Sequence, residues 1–589
     1  MRSSALLVLA SALVSTALYA QTHSGGGGGR IPAPGTPSPG GTRIGNMATP
    51  GTPLASANDE GKIEFRTQSI LVQVPVVITD KKGEHIHGLT KGDLHLFENG
   101  KEQAISVFEE MVASNAKLPV PAEKPGEFHN LVIPDNQPHS VTIIALDTVN
   151  TPFLDQTYGR RELVKYLANN IDSSQVLSLM IITSHGLQVV QGLTGDPAKL
   201  AQTLKKVSGE IPAMQSEDMD AQADVAASDI PDAFSQTSLN TDPDTIMQNF
   251  IEHGDAIEAR FQQERAIEST LRGFMSIAWT LSGVPGRKSL IWATGGFPFT
   301  IADPATVPGG YLSALYERTM QALTEAQISV YPVDVRGLVN SSPIADATRS
   351  RAPTARNFTN RAWLQQSSID TLNEFAEMTG GKAFYNTNDL TNSFKRAADD
   401  ASSYYLVGYY LDTHNNKAGW RQLKVKVDKK DTEVRARKGF FVTNATLHME
   451  LTRSSDLSYA LTSPMEGTGI PLTVKWLGTS GEGTTKKASF LVQLASSSLT
   501  LDPAGQNRLN FDFAAAAYAF KSKDGKPATS VGKSFAPSLT EAQMAEVRAK
   551  GVGFNDALDL APGQYNVRFV IRDNISGKIG SVTAPLTVN

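Results

Sequence analysis

Residues 147–151, Asp-Thr-Val-Asn-Thr, gather a carboxylate, two hydroxyls and an amide within five positions, directly after the apolar run 141–146. Such side chains can tie down a loop through backbone amides or present oxygens to a ligand. A near-continuous apolar run reads as a strand buried on both faces, so Asp147 is expected at the carboxyl end of a central strand of a parallel sheet. In open α/β sheets ligands bind at that edge, where loops and helix N-termini converge. Parallel connectivity would bring the loops after Leu146, Gln191 and Ala293 to one shallow surface, with Asp147, Asn150, Thr151, Thr194 and Thr294 facing a common point. Asp196, Gly295 and Gly296 belong to the same expected surface.

Other chemistries lack their residues. The chain has no cysteine, which removes disulfides, thiolate nucleophiles, thiolate zinc sites and iron–sulfur clusters. No HExxH or GxSxG pattern occurs, and the ten histidines are scattered. His85 and His87 lie two apart on an expected exposed turn, where they either bind a metal weakly or are solvated. A non-catalytic protein is the expectation, with an extracellular hydrolase as the competing class.

The elements that must position these residues follow from periodicity. Strands are expected at 141–146, 176–183, 288–293 and 328–333, with a short pairing strand at 187–191 and helices at 157–171, 197–207, 244–282, 311–326, 369–379 and 390–402. Strand and helix alternate as in a parallel, doubly wound α/β unit over 139–402, interrupted by an acidic Ser- and Ala-rich insertion at 209–242. Asp196, directly before a helix, also reads as an N-cap. Upstream, 63–112 alternates with period two and carries the hairpin signal Asn99-Gly100. Downstream, 403–443 also alternates. Each piece has too few strands for a core of its own, so together they are expected to make one β-sandwich interrupted by the α/β unit. Residues 444–589 read as a separate all-β sandwich with one helical interlude at 539–550.

At 589 residues the chain exceeds a single core. A formal charge of −5 supplies no basic field and argues against nucleic acid as a partner. Residues 1–20 have the layout of a secretory signal peptide, so a secreted, periplasmic or cell-envelope destination is expected, with no transmembrane segment left after cleavage. The Gly/Pro-rich stretch 21–62 reads as a disordered tether.

IIALDTVNT, VLSLMIITSHGLQVVQGLTGD, GRKSLIWATGGFP and ISVYPVDVRGL, taken in order, resemble successive strands of a von Willebrand factor type A domain. With VPVVITDKKGEHIHGLTKGDLHLFENGKEQAISVF upstream and MTGGKAFYNTNDL and YYLVGYYL downstream, residues 63–443 resemble the acidobacterial von Willebrand factor A-related family. The resemblance implies an A-type (Rossmann-like) α/β domain inserted in a β-sandwich, followed by the C-terminal sandwich. It also implies a divalent-cation site built from an Asp-x-Ser-x-Ser loop, a Thr on a second loop and an Asp on a third. Asp147 matches the first ligand, Thr151 the second Ser and Thr194 the second-loop Thr. Val149 and Gly295 stand where two oxygen donors belong. The expected site is therefore degenerate, with no cofactor or a weakly held Mg²⁺. The function implied is adhesion to a protein or extracellular polymer, either metal-free or through an adapted metal site; an envelope scaffold or an accessory to an extracellular hydrolase are the alternatives.

Overall fold

The computed structural model describes residues 71–112, 126–130, 140–169, 175–206, 243–297, 311–338, 368–411, 419–442, 445–481, 483–495, 499–500, 508–520 and 525–589, with backbone alone at 243–260 and 445–452. The expected signal peptide, the 21–62 tether and the 209–242 insertion lie outside the described residues. Five strands open the order: β1 (Leu71–Asp80), β2 (Leu94–Glu98), β3 (Lys101–Gln103), β4 (Val107–Val112) and β5 (Glu127–His129). Next come β6 (Val141–Asp147), α1 (Phe153–Asn169), β7 (Val176–Thr183), β8 (Gly186–Thr194), α2 (Pro197–Leu204) and α3 (Pro243–Leu281). They are followed by β9 (Lys288–Thr294), α4 (Tyr311–Glu325), β10 (Ile328–Asp334), α5 (368–379) and α6 (Leu390–Asp399). Four strands follow, β11 (Ser403–Tyr410), β12 (Gly419–Val427), β13 (Thr432–Arg435) and β14 (Gly439–Val442). The last third holds α7 (Ala445–Thr462), β15 (Leu472–Ser480), β16 (Lys486–Leu494), β17 (Phe511–Ala519) and β18 (Thr529–Phe535). It ends with α8 (Glu541–Lys550), β19 (Val552–Leu560), β20 (Gly563–Asp573) and β21 (Ile579–Val588).

Period-two alternation builds a sandwich from two stretches far apart in sequence. Val72, Val74, Val76 and Ile78 of β1 face inward and meet Tyr405, Val407 and Tyr409 of β11. One sheet has the order β13-β1-β11-β4 and the other β14-β12-β2-β3, so both interleave strands from before and after the central region. The β2–β3 turn uses Asn99 and Gly100 at φ 47° and 81°, the paired positive φ of a two-residue hairpin.

The central strands form one mixed sheet, ordered β10-β9-β6-β7-β8. The pairings β10–β9, β9–β6 and β6–β7 are parallel, whereas β8 runs antiparallel to β7. On one face Ile143, Ala145, Leu290 and Trp292 pack with Leu271 and Phe274 of α3, Tyr316 of α4 and Phe375 of α5. On the other, Ile144, Leu146 and Ile291 pack with Leu163 and Tyr166 of α1, Leu200 of α2 and Phe394 of α6.

The C-terminal sandwich stacks β19-β16-β15-β5 on β18-β17-β20-β21, with Phe490, Phe513 and Phe569 in contact at its centre. Two features depart from the sequence expectation. Its edge strand β5 comes from 127–129, far upstream, and a helix, α7, opens a region expected to be all-β apart from 539–550.

The expected fold class is corrected. Among the described residues four of the five sheets are antiparallel throughout, and the molecule is mostly β rather than headed by a doubly wound α/β domain. The one sheet with parallel pairs has an antiparallel edge. Its core also includes Ala460, Met465, Val570 and Ile579 from the C-terminal third, so it does not stand apart as an α/β unit. The physical reason is that apolar periodicity reports burial, whatever buries the residue; it carries neither strand direction nor the identity of the covering element. Among the described residues no helix is long and apolar enough to cross a membrane.

Candidate functional site

Three parallel strands end in a row of polar residues. The register places Leu146 beside Ala293 and Thr294 beside Asp334, so Asp147, Thr294 and Asp334 close β6, β9 and β10 at one edge. All three are buried, Asp147 at 2% exposure and the other two at 0%.

The Asp147 carboxylate is fully occupied from within. Oδ1 accepts from the backbone amides of Val149 (3.1 Å) and Asn150 (3.0 Å). Oδ2 accepts from Asn150 Nδ2 (2.8 Å), from Trp292 Nε1 (2.9 Å) and from the Thr294 hydroxyl (3.0 Å), whose single proton is shared with Gly296 O (2.7 Å). Burial pushes the carboxyl above its ordinary value, and the donors on Asn150, Trp292 and Thr294 partly offset that. Trp292 is held in place by edge-on contacts with Phe274 (5.1 Å), Phe297 (5.4 Å) and Phe375 (5.5 Å) between ring centroids. Asn150 also donates to Thr270 Oγ1 of α3 at 2.9 Å, which ties the loop to that helix.

The second and third positions of the expected metal site are closed by backbone. Thr151 Oγ1 accepts from Gly295 N at 2.8 Å. A Cβ on Gly295 would lie 2.9 Å from Pro152 Cδ and 3.0 Å from both Asn150 O and Thr151 Cα. The β6–α1 loop thus fills the space that a third-loop Asp side chain would need. Among the described residues no three His, Asp or Glu side chains are grouped to hold a metal ion. A divalent cation does not fit the residues at Asp147, because both carboxylate oxygens are committed and Val149 and Gly295 supply no donor.

The structure does not bring Thr194 and Asp196 to this edge. Thr194 pairs with Leu177, whereas Asp147 pairs with Ile182, five positions along β7 or about 16 Å. Because β8 runs antiparallel, its end emerges at the amino edge of the sheet. Thr194 Oγ1 accepts there from Asp196 N at 3.2 Å, and Asp196 caps α2 by accepting from Ala198 N (3.0 Å) and Lys199 N (3.1 Å). The expected shared surface of the three loops is therefore corrected. So is the exposure of Thr294, Gly295 and Gly296: all three are buried, since Gly295 N donates to Thr151 and Phe297 N to Ser368 Oγ (3.0 Å), drawing the loop inward.

Asp334, Arg336 and Trp292 were not anticipated as members of this row. Asp334 Oδ1 accepts from Arg336 N (3.0 Å) and Nε (2.9 Å), and Oδ2 from Nη2 (2.7 Å). A signal for Asp334 exists, since ISVYPVD repeats the pattern of VTIIALD, an apolar strand ending in Asp. Around the row a rim of apolar side chains stays in solvent: Phe153 and Leu154 in the first turn of α1, and Leu338 after β10, with Leu154 77% and Leu338 63% exposed. Asn388 joins the two sides, accepting Leu338 N on Oδ1 (3.0 Å) and Tyr158 Oη on its backbone carbonyl (3.2 Å).

No family model matches the chain, and no curated protein matches it.

Proposed function

We propose that the chain is an exported, non-catalytic interaction protein that engages a protein partner through the rim at the carboxyl edge of the mixed sheet, without a metal ion at Asp147. The observation that carries this reading is the internal saturation of Asp147. A carboxylate taking five hydrogen bonds from its own fold is a clamp, and what the edge offers outward is Phe153, Leu154 and Leu338. Large apolar side chains held on a rigid frame supply contact area at low ordering cost. The resemblance of 63–443 to von Willebrand factor A-related sequences supports a binding role over catalysis, and the signal-like 1–20 supports export.

The test is capture of partners from extracellular and envelope proteins by the mature chain, in buffer and in chelator, beside the Leu154→Asp/Leu338→Asp variant. Capture equal in both media and lost in the variant is expected. Capture abolished by chelator, or unchanged in the variant, would overturn the reading.

A further inference from the structure

The sheet β14-β12-β2-β3 of the first sandwich buries Leu94, Leu96 and Leu423 on one face and turns His95, Phe97, Lys424 and Lys426 outward on the other. Lys424 lies opposite Phe97 and Lys426 opposite His95, about 7 Å apart along β12. Lys426 Nζ sits 5.0 Å from the centroid of the Phe97 ring. The stripe continues past the strand ends. The 80–83 and 428–431 turns meet through Lys81 and Asp431 (2.5 Å), and Asp428 N donates to Asp93 O (3.0 Å). Lys82, Lys91, Lys429 and Lys430 therefore gather at the same end as Lys426. All six of these lysines are exposed, and among the described residues none of them has a carboxylate at ion-pair distance.

The carboxylates beside them are spent within the sandwich. His95 donates Nδ1 to Glu102 (2.7 Å) and Nε2 to Asp428 (3.4 Å), and these two, Glu102 first, hold its imidazole above the ordinary histidine pKa. Asp93 accepts from Thr90 N and Oγ1 (both 2.7 Å), Asp80 from the amides of Lys82 (2.8 Å) and Glu84 (3.0 Å), and Asp431 from Lys81. Glu84 alone in these turns lacks such a partner among the described residues. Six ammoniums against one free carboxylate make a positive stripe on a chain whose formal charge is −5.

The chemistry of the stripe narrows its occupant. Lysine is a compact point charge without the planar fork that grips one phosphate or carboxylate, so the stripe suits a polymer with many charges, each held loosely. The flat polar face lacks the apolar anchors that a protein partner uses, and its one aromatic ring is covered by the Lys426 ammonium, which leaves no platform for a nucleic-acid base. We propose that this stripe binds a carboxylated polysaccharide lying along β12 and the turn that follows it. The surface is separate from the rim around Asp147 and needs nothing from the interaction proposed there.

The mature chain is passed over immobilised polygalacturonate, dextran and duplex DNA, beside three variants. One is Lys424→Gln/Lys426→Gln/Lys429→Gln/Lys430→Gln, the second changes the same four lysines to arginine, and the third, Lys475→Gln/Lys487→Gln/Lys526→Gln/Lys550→Gln, removes equal charge from the C-terminal sandwich. Retention on polygalacturonate at about 50 mM salt and release by about 500 mM are expected. Binding should weaken roughly tenfold or more in the first variant and stay within about twofold of the parent in the other two. No retention on polygalacturonate, equal retention on dextran, tighter binding to DNA, or equal weakening in the two glutamine variants overturns the proposal. Bound polygalacturonate should also shield Lys424 and Lys426 of the parent from amine acetylation. Acetylation unchanged by the polymer overturns the proposal whatever the variants do, including a variant that fails to fold.

Discussion

At the carboxyl edge of the mixed sheet the buried charges are negative and are matched by donors from within the fold. Asp147 takes five hydrogen bonds from neutral groups and Asp334 takes Arg336. At the amino edge the buried charges are positive and the matching is incomplete. Arg287 and Arg437 meet only neutral acceptors, and Lys288, 1% exposed, donates to Val284 O at 2.5 Å. The difference teaches that an acidic residue at a strand end is no sign of an open ligand site. Neutral donors can consume a carboxylate completely, whereas a guanidinium with its fixed fork is harder to satisfy.

The comparison breaks most visibly at Gly295. Gly295→Asp, which would restore the missing carboxylate, should cost about 3–5 kcal/mol, because the side chain meets Pro152 and the 150–151 backbone and buries an unpaired charge. Denaturant unfolding with and without Mg²⁺ checks this. Parent-like stability with a Mg²⁺-dependent gain would mean that the edge can open.

Asp147→Asn should cost less, about 2–3 kcal/mol, by turning an amide toward the indole and hydroxyl donors. Since burial raises the folded-state value of Asp147, the folded chain holds this proton more tightly than the unfolded chain. Its contribution to stability should therefore be fullest below the unfolded value and decline as pH rises through the folded one. Urea midpoints across the acid range should show that decline in the parent and lack it in the variant.

At the other edge the sign reverses. Burial lowers Lys288 from 10.5 to about 7, so between those values the unfolded chain binds more protons and stability rises with pH. Lys288→Met should stabilise at pH 6 by about 1–2 kcal/mol, a gain that shrinks toward pH 10. A gain that is independent of pH would show that packing, and not charge, decides there. The smallest effect belongs to Asp196→Ala, which should cost about 1 kcal/mol as the loss of an N-cap and leave partner capture unchanged. Loss of capture would return Asp196 to the binding surface.

Much of this was legible in the chain. The apolar runs ending at Asp147 and Thr183 are strands, and Asn99-Gly100 is the hairpin turn that its residue types require. What was not legible is cover. The reversal of GLQVVQGLT against VLSLMIIT was legible but went unread: the two-residue link Ser184-His185 is too short for a parallel crossover, and the reversal sends Thr194 and Asp196 to the far edge. Helix α7 was missed because the expected change to all-β at 444 left no place for one, and β5 because a three-residue strand has no periodicity to detect. The closure of the Asp147 loop was half visible: Val149 and Gly295 announced missing metal ligands, but only the fold shows Trp292 and Thr294 donating to the carboxylate in place of a cation.

The interleaving of β1 with β11 also sets a kinetic problem. Leu89 N meets its acceptor, Tyr405 Oη, 316 positions later, and β1 obtains both of its neighbours only after the whole central region has been made. Until then a ten-residue strand, LVQVPVVITD, has two open edges and an apolar face. Such high contact order predicts slow folding and a long-lived, aggregation-prone intermediate. Refolding should thus depend steeply on protein concentration, and a holdase that shields this one strand should restore yield without altering the final stability.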